Sequence, residues 1–259
     1  MIIEDVSSIE VTAALQSRLV RRELTPVFRT VWMRSPGTSL CRIPDGCGEL
    51  IWCNGKLFAY GPAVACTTMP FPSTATLVGL RFLPGAAAKW LEVSSTDILG
   101  VCAPLEEVSE RRARGLADAV GNAADPLIVS TRLEAALIET ISARTSLNLG
   151  CLDKVLELLA REHGNGGFLR ALKQAYNCSE RSARRETVKV FGYGPKTAER
   201  IWRVQRFLHS ARSPQSTNLA WLANFIGFSD QAHMTREVHS IAGMTPGEAV
   251  IIAQRGDVP

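Results

Sequence analysis

Histidine is scarce. There are four in 259 residues (His163, His209, His233, His239), and none precedes residue 160. A His-based metal or acid–base site therefore cannot be assembled within the first 150 residues. The amino-terminal half also has no Gly-x-Ser-x-Gly nucleophile elbow and no phosphate-cradling loop, so acyl transfer and nucleotide hydrolysis lack their usual parts. No catalytic residue, cofactor or metal is assigned, and the chain is expected not to be an enzyme. No stretch approaches the ~18 uninterrupted apolar residues of a membrane span, so no membrane partner is expected. The seven cysteines are an odd number, and those at 41, 47 and 53 stand too far apart for a Cys-x-x-Cys pair. The opening MIIEDVSSIE carries acids and no basic stretch before an apolar core. Together these features read as reduced thiols in a cytoplasmic protein without a secretory leader.

What is present is an ordinary globular composition, with 46% apolar and 21% charged residues, which argues against disorder over the whole chain. The length exceeds one typical domain, so two are expected. Charge is unevenly placed. Residues 1–150 carry 14 Lys+Arg against 15 Asp+Glu, and residues 151–259 carry 15 against 10. The excess concentrates in residues 170–212, with eleven basic residues against three acids. Such an excess is the electrostatic footprint of a polyanion-binding surface, or else a solvated helix face.

Residues 26–83 read as β. The short apolar runs Pro26–Met33, Glu49–Cys53, Lys56–Tyr60 and Thr76–Phe82 alternate with turn residues. Asn54-Gly55 between two of them predicts a type I′ hairpin, where both central residues need positive φ. The pattern predicts a small antiparallel barrel or sandwich. Residues 104–120 and 126–145 read as helices. The second has an apolar stripe (Leu133, Leu137, Ile138, Ile141) that must bury against the barrel or a second copy of the chain.

From residue 151 onward the pattern is helical, beginning with a helix over Leu152–Leu159 that ends at His163-Gly164. Two later segments repeat. Each reads helix, tight break, Ser N-cap (Ser179, Ser229), a helix of a dozen residues, then Gly-x-x-Pro. The two starts are 50 residues apart and the two endings 51. Two helix–turn–helix units joined by one long helix account for the repeat. In such a unit the second helix enters the major groove and offers its N-terminal residues to base edges.

Leu219–Gly247 closely resembles the second helix–turn–helix of the AraC/XylS transcription-regulator family. The resemblance rests on Gly227-Phe228-Ser229-Asp230-Gln231, Arg236, and Gly243-x-Thr245-Pro246. The first unit is similar through Ser179, Arg181, Arg185, Gly192 and Pro195. It departs at Ala183 and Thr187, where the family has leucine and phenylalanine, and the connecting helix has Phe207 in place of alanine. Pro44-Asp45-Gly46-Cys47, Glu49-Leu50-Ile51, Gly61-Pro62 and Gly79-Leu80-Arg81-Phe82-x-Pro84-Gly85-Ala86 are similar to an uncharacterised domain that precedes many such DNA-binding domains. The resemblance implies a cupin-like N-terminal barrel for ligand sensing or dimerisation.

The expected fold is thus α+β. A β-rich domain (1–110) and a helical linker (111–150) precede an all-α DNA-binding domain (151–259). The expected function is a sequence-specific transcriptional regulator that reads two successive major grooves of double-stranded DNA. A small-molecule effector, a homodimer and contact with RNA polymerase belong to the same expectation. Arg181, Arg184 and Arg185 share a face and can reach guanine, as can Arg236, while Gln231 can pair with adenine and His233 lies beside them. The alternatives for the arginines are phosphate contacts or internal ion pairs, and for His233 a neutral surface role. Ser179, Ser229, Lys196, Arg200 and Arg203 are candidates for phosphates, although Lys196, Arg200, Arg203 and Arg206 can equally hold the two units together. Asp45, Glu49 and Arg81 could orient an effector, or form a turn and an ion pair. Cys47 could be a reactive thiol, which would make the chain a redox or electrophile sensor. An interaction module with weak DNA binding is the remaining alternative.

Overall fold

The computed structural model describes residues 15–36, 41–121, 123–142, 158, 167–212 and 218–254. Apart from residue 158, the helix expected over 152–163, with His163 and the breaks at Gly166 and Ser213-Pro214, lies outside the described residues. The strands are β1 (Leu15–Leu19), β2 (Phe28–Arg34), β3 (Cys41–Arg42), β4 (Glu49–Cys53), β5 (Lys56–Tyr60), β6 (Thr67–Thr68), β7 (Leu77–Phe82) and β8 (Cys102–Pro104). Six of them form one antiparallel sheet in the order β1-β2-β7-β4-β5-β8, and β3 and β6 form a separate ribbon. Closing a barrel requires its first and last strands to pair. Here β1 and β8 are the two edges, so the described strands make an open sheet, the antiparallel β-rich domain expected in front of the helices.

The Asn54-Gly55 hairpin forms as expected. Both residues have positive φ (48° and 83°), and Cys53 pairs with Lys56. Side chains alternate between two cores along β4, as a pleated strand requires. Leu50 and Trp52 join the helix-covered core, whereas Ile51 and Cys53 join Trp32, Tyr60 and Leu77 on the other face. Because both faces are covered, all five β4 residues are buried, which is why the run from Leu50 to Cys53 is continuously apolar. Gly79 stands opposite Trp32, where a Cβ would fall 2.1 Å from the indole. Only glycine lets the ring lie across β7.

Helix α1 (Ala86–Leu91) places Trp90 against Phe28 and Phe82, which stack at 4.5 Å. Burial of each such ring contributes ~1.5–3 kcal/mol. Next come α2 (Leu105–Val108), α3 (Glu110–Val120) and α4 (Pro126–Ser142). Val129, Leu133 and Leu137 are fully buried, and α4 packs on β7 and on the 3-10 turn Arg22–Leu24. Glu134 of α4, also buried, receives both Arg18 guanidinium nitrogens (2.6 and 3.2 Å) and the Arg21 amide. The apolar stripe is thereby covered within the chain.

The carboxy-terminal part contains α5 (Gly167–Tyr176), α6 (Glu180–Phe191), α7 (Pro195–Ala211), α8 (Leu219–Ile226), α9 (Gln231–Ala242) and α10 (Pro246–Gln254). Its core is continuous with that of the sheet: one apolar cluster runs from Phe28 and Leu80 through Phe191 and Phe207 to Leu222 and Val238. Ala183, Thr187 and Phe207 are all buried, so the first unit absorbs its departures from the family pattern inside this core. The expectation that every cysteine is a free thiol is corrected at one pair, since Cys41 and Cys66 form a disulfide. The pairing of β3 with β6 brings them together across 25 positions, a distance that composition cannot reveal.

Candidate nucleic-acid interface

Two helix pairs, α5–α6 and α8–α9, flank the seventeen-residue α7. Their second helices are built alike. The Ser179 hydroxyl caps α6 by accepting from the Ser182 amide (3.2 Å), and Gly192 ends it at φ 79°. Asp230 caps α9 by accepting from the His233 amide (2.6 Å), and Gly243 ends it at φ 73°. The second cap is therefore Asp230 and not Ser229. Both caps and both ends are now 51 residues apart, a stricter repeat than the sequence reading suggested. A side-chain oxygen at each start satisfies an otherwise orphaned amide, and each left-handed glycine stops the helix at equal length.

Between α6 and α9 lies an open cleft of about 790 Å³. Arg184 enters from α6, Lys196 and Arg200 from α7, and His233 and Arg236 from α9. Arg181, Arg184, Arg185, Lys196, Gln231 and Arg236 are all exposed, as are Ser179 and Ser229. Arg184 is held by Glu180 one turn earlier (2.7 Å), and Arg185 lies 4.0 Å from Glu186. Both pairs are exposed, a setting in which an ion pair contributes ~0–1 kcal/mol, so a polyanion can displace the carboxylates.

Two expected contacts are placed differently. Arg203 is only 2% exposed and binds the Glu237 carboxylate (2.8 Å) with its guanidinium over the Phe228 ring, so it holds α7 to α9 and does not face a phosphate. His233 has both ring nitrogens engaged. The Ser229 amide donates to Nδ1 (3.2 Å), which makes Nδ1 an acceptor and puts the proton on Nε2. Nε2 then faces Glu237 Oε1 at 3.3 Å. A ring so fixed orients the turn. Glu237 also receives Arg200 (3.2 Å), whose Nη2 reaches the Ser240 hydroxyl. Glu237 was not singled out in the sequence, although its position one turn after His233 and the Arg200/Arg203 pair on α7 were the available signals.

Asp45, Glu49 and Arg81 converge, but on one another. Arg81 binds Asp45 (2.7 Å) and Glu49 (3.1 Å), and Arg42 joins both carboxylates and donates to the Cys47 carbonyl (2.6 Å). All four charged side chains are at most 4% exposed. Burial pushes the Asp45 carboxyl up, but the two guanidiniums and the Cys47 amide outweigh it and bring it to about 2. The group is a closed ionic knot, and as such not an effector site. Cys47 is 2% exposed, and burial together with the Asp45 charge pushes its thiol up to about 12. A reactive thiol needs the opposite environment, so this corrects the sensor role for Cys47.

The N-terminal domain grips the other end of this assembly. Ser95 Oγ donates to the Lys189 carbonyl (2.6 Å) in the last turn of α6. The Cys66 amide donates to the Ile241 carbonyl (2.7 Å) in the last turn of α9. Gln205 of α7 donates to the Pro44 carbonyl (2.7 Å). Both second helices are thus anchored at their C-terminal ends, leaving their N-terminal turns outward. Among the described residues no cluster of three or more His, Cys, Asp or Glu could hold a metal, and no helix is long and apolar enough to cross a membrane.

Residues 21–104 match a family described as a domain of unknown function, DUF6597. No curated protein matches the sequence. Among solved structures, an apo lysine-to-alanine variant of ToxT from Vibrio cholerae strain SCE256 superimposes with a TM-score of 0.48 at 7% identity, covering 91% of this chain and all of that one. ToxT from Vibrio cholerae O395 gives 0.47 at 8% identity over 93% of this chain and 98% of its own.

Proposed function

We propose that this chain is a sequence-specific DNA-binding transcriptional regulator of the AraC/XylS type. The observation that carries the reading is the pair of equally long helices, α6 and α9, each capped by a side-chain oxygen, that border one basic cleft with their N-terminal turns exposed. In this reading Arg181, Arg184 and Arg185 meet base edges in one major groove and Gln231 and Arg236 in the next, about one helical turn away. Lys196, Arg200, Ser179 and Ser229 take phosphates of the intervening backbone. The sensor body extends through α4, and the DNA-binding domain begins between α4 and α5. The chain acts in the cytoplasm, and its N-terminal domain takes a small-molecule effector at a place other than the Asp45–Glu49–Arg81 knot. Contact with RNA polymerase and assembly into a homodimer complete this reading.

Selection from a random duplex pool, followed by binding assays on two variants, tests it. Arg236→Ala should relax preference at one base pair, with a loss of ~1–3 kcal/mol for the preferred base. Lys196→Ala should weaken all sequences alike. Affinity should fall on the order of a hundredfold between 50 and 200 mM salt if about four phosphates are neutralised. A protein that enriches no sequence from the pool is an interaction module instead, and the reading is wrong.

A further inference from the structure

The ribbon of β3 and β6 pairs only Cys41 with Thr68 and Arg42 with Thr67, too little to hold by itself. It is closed by the Cys41–Cys66 disulfide, with Cα atoms 6.6 Å apart. Cys66 is also the residue that meets the second reading helix. Its amide donates to the carbonyl of Ile241, one of the last-turn carbonyls of α9 that has no partner within the helix. A Cβ on Gly243, the end of α9, would lie 3.4 Å from Cys66 Cβ, so the helix end rests directly on this residue. Both cysteines are half-buried at the surface of a segment whose Val64, Ala65, Thr67 and Thr68 are exposed. They are thus open to small thiols, unlike Cys47. In a cytoplasmic protein a disulfide is as a rule transient and redox-sensing.

We propose that Cys41 and Cys66 form a reversible thiol–disulfide switch that sets how firmly the N-terminal domain holds the C-terminal end of α9. The proposal rests on the reading of α9 as the second DNA-reading helix. The reductant is a dithiol. One of its thiolates attacks a protein sulfur, and the other protein sulfur leaves as a thiolate and takes up a proton; the second dithiol sulfur then attacks the first, and the bound protein sulfur leaves and takes up the second proton. Two electrons and two protons pass to Cys41 and Cys66, and the dithiol leaves as its disulfide. In the oxidised state α6, held by Ser95, and α9, held by Cys66, keep a fixed spacing. In the reduced state the anchor on α6 persists while that on α9 opens.

The test is hydrogen exchange on the full chain, oxidised with a small-molecule disulfide or reduced with dithiothreitol, together with a thiol count by alkylation and mass spectrometry. Reduction should expose two additional thiols, at 41 and 66. It should speed exchange by about tenfold in the peptide containing Cys66 and in the last turn of α9, and leave the end of α6 unchanged. Cys41→Ser, which keeps the Cys66 backbone, should exchange like the reduced protein under both conditions, with its fold checked by circular dichroism. Free alkylation of both cysteines after oxidation overturns the proposal, as does identical exchange in the two states. DNA affinity is read in parallel. An exchange response in a protein that binds no DNA supports the switch and refutes the proposed function.

Discussion

Glu237 offers the sharpest test of how the two helix pairs are joined. Its carboxylate, 10% exposed, faces the buried Arg203 guanidinium at 2.8 Å, the half-exposed Arg200 at 3.2 Å and the His233 ring at 3.3 Å. Glu237→Ala takes the carboxylate away from an arginine that is itself only 2% exposed. Removing one partner of a buried pair costs about 3–5 kcal/mol, because a charge is left in a medium that solvates it poorly. Arg200 adds little, since exposed pairs contribute ~0–1 kcal/mol. At roughly 2–4 °C per kcal/mol for a chain of this size, the melting temperature should fall by about 10 °C. Replacing both partners, Arg203→Met with Glu237→Met, should recover most of that loss, since no buried charge then remains. Scanning calorimetry of the two variants and the parent decides it. If Glu237→Ala melts within about 1 °C of the parent, or the double variant melts no higher than the single one, the carboxylate is not the joint between α7 and α9.

Asp45 links stability to acid. Its folded carboxyl lies at about 2 against an ordinary 3.8, so its contribution is complete above pH 3.8 and lost as the pH falls through 2. The difference amounts to about 2 kcal/mol. Urea unfolding of the parent should weaken between pH 4 and 2 more steeply than that of Asp45→Asn, and equal slopes would exclude the ionic knot as the cause. Cys47, pushed up to about 12 by burial and by Asp45, should resist iodoacetamide at pH 8 in the folded protein and react only on unfolding. Labelling of Cys47 in native protein at the rate of a free thiol would show that the turn opens. Gly79→Ala should destabilise by more than the usual ~1–3 kcal/mol of overpacking, because the added carbon would sit 2.1 Å from the Trp32 ring. An unchanged thermal midpoint would mean that the indole does not cross β7.

Local chemistry made much of this molecule legible before any coordinates. The Asn54-Gly55 turn, the four central strands, the paired break pattern and the Gly192 and Gly243 helix ends are each fixed by residues within a few positions of one another. Even there, a neighbouring acceptor shifted the second cap from Ser229 to Asp230, a choice between two adjacent side chains that only backbone direction resolves. The exposed cations of α6 and α9 were also visible, because helical period alone places Arg181, Arg184 and Arg185 on one face.

What the sequence could not supply was the identity of partners. Asp45, Glu49 and Arg81 have the chemistry of a ligand site, and it took the register of β4 with β7, and Arg42 arriving from β3, to turn them on one another. Arg203 and Arg236 are equally basic in the sequence, yet one is enclosed by Glu237 and Phe228 while the other faces the cleft. Gln205 meets Pro44 across 161 positions, and Cys66 meets Ile241 across still more. Helix period and turn chemistry act over a few residues, so they determined which elements form. Charge pairing, thiol pairing and the grip of the sheet domain on α6 and α9 depend on which surfaces meet, and only the packing of the whole chain decided those.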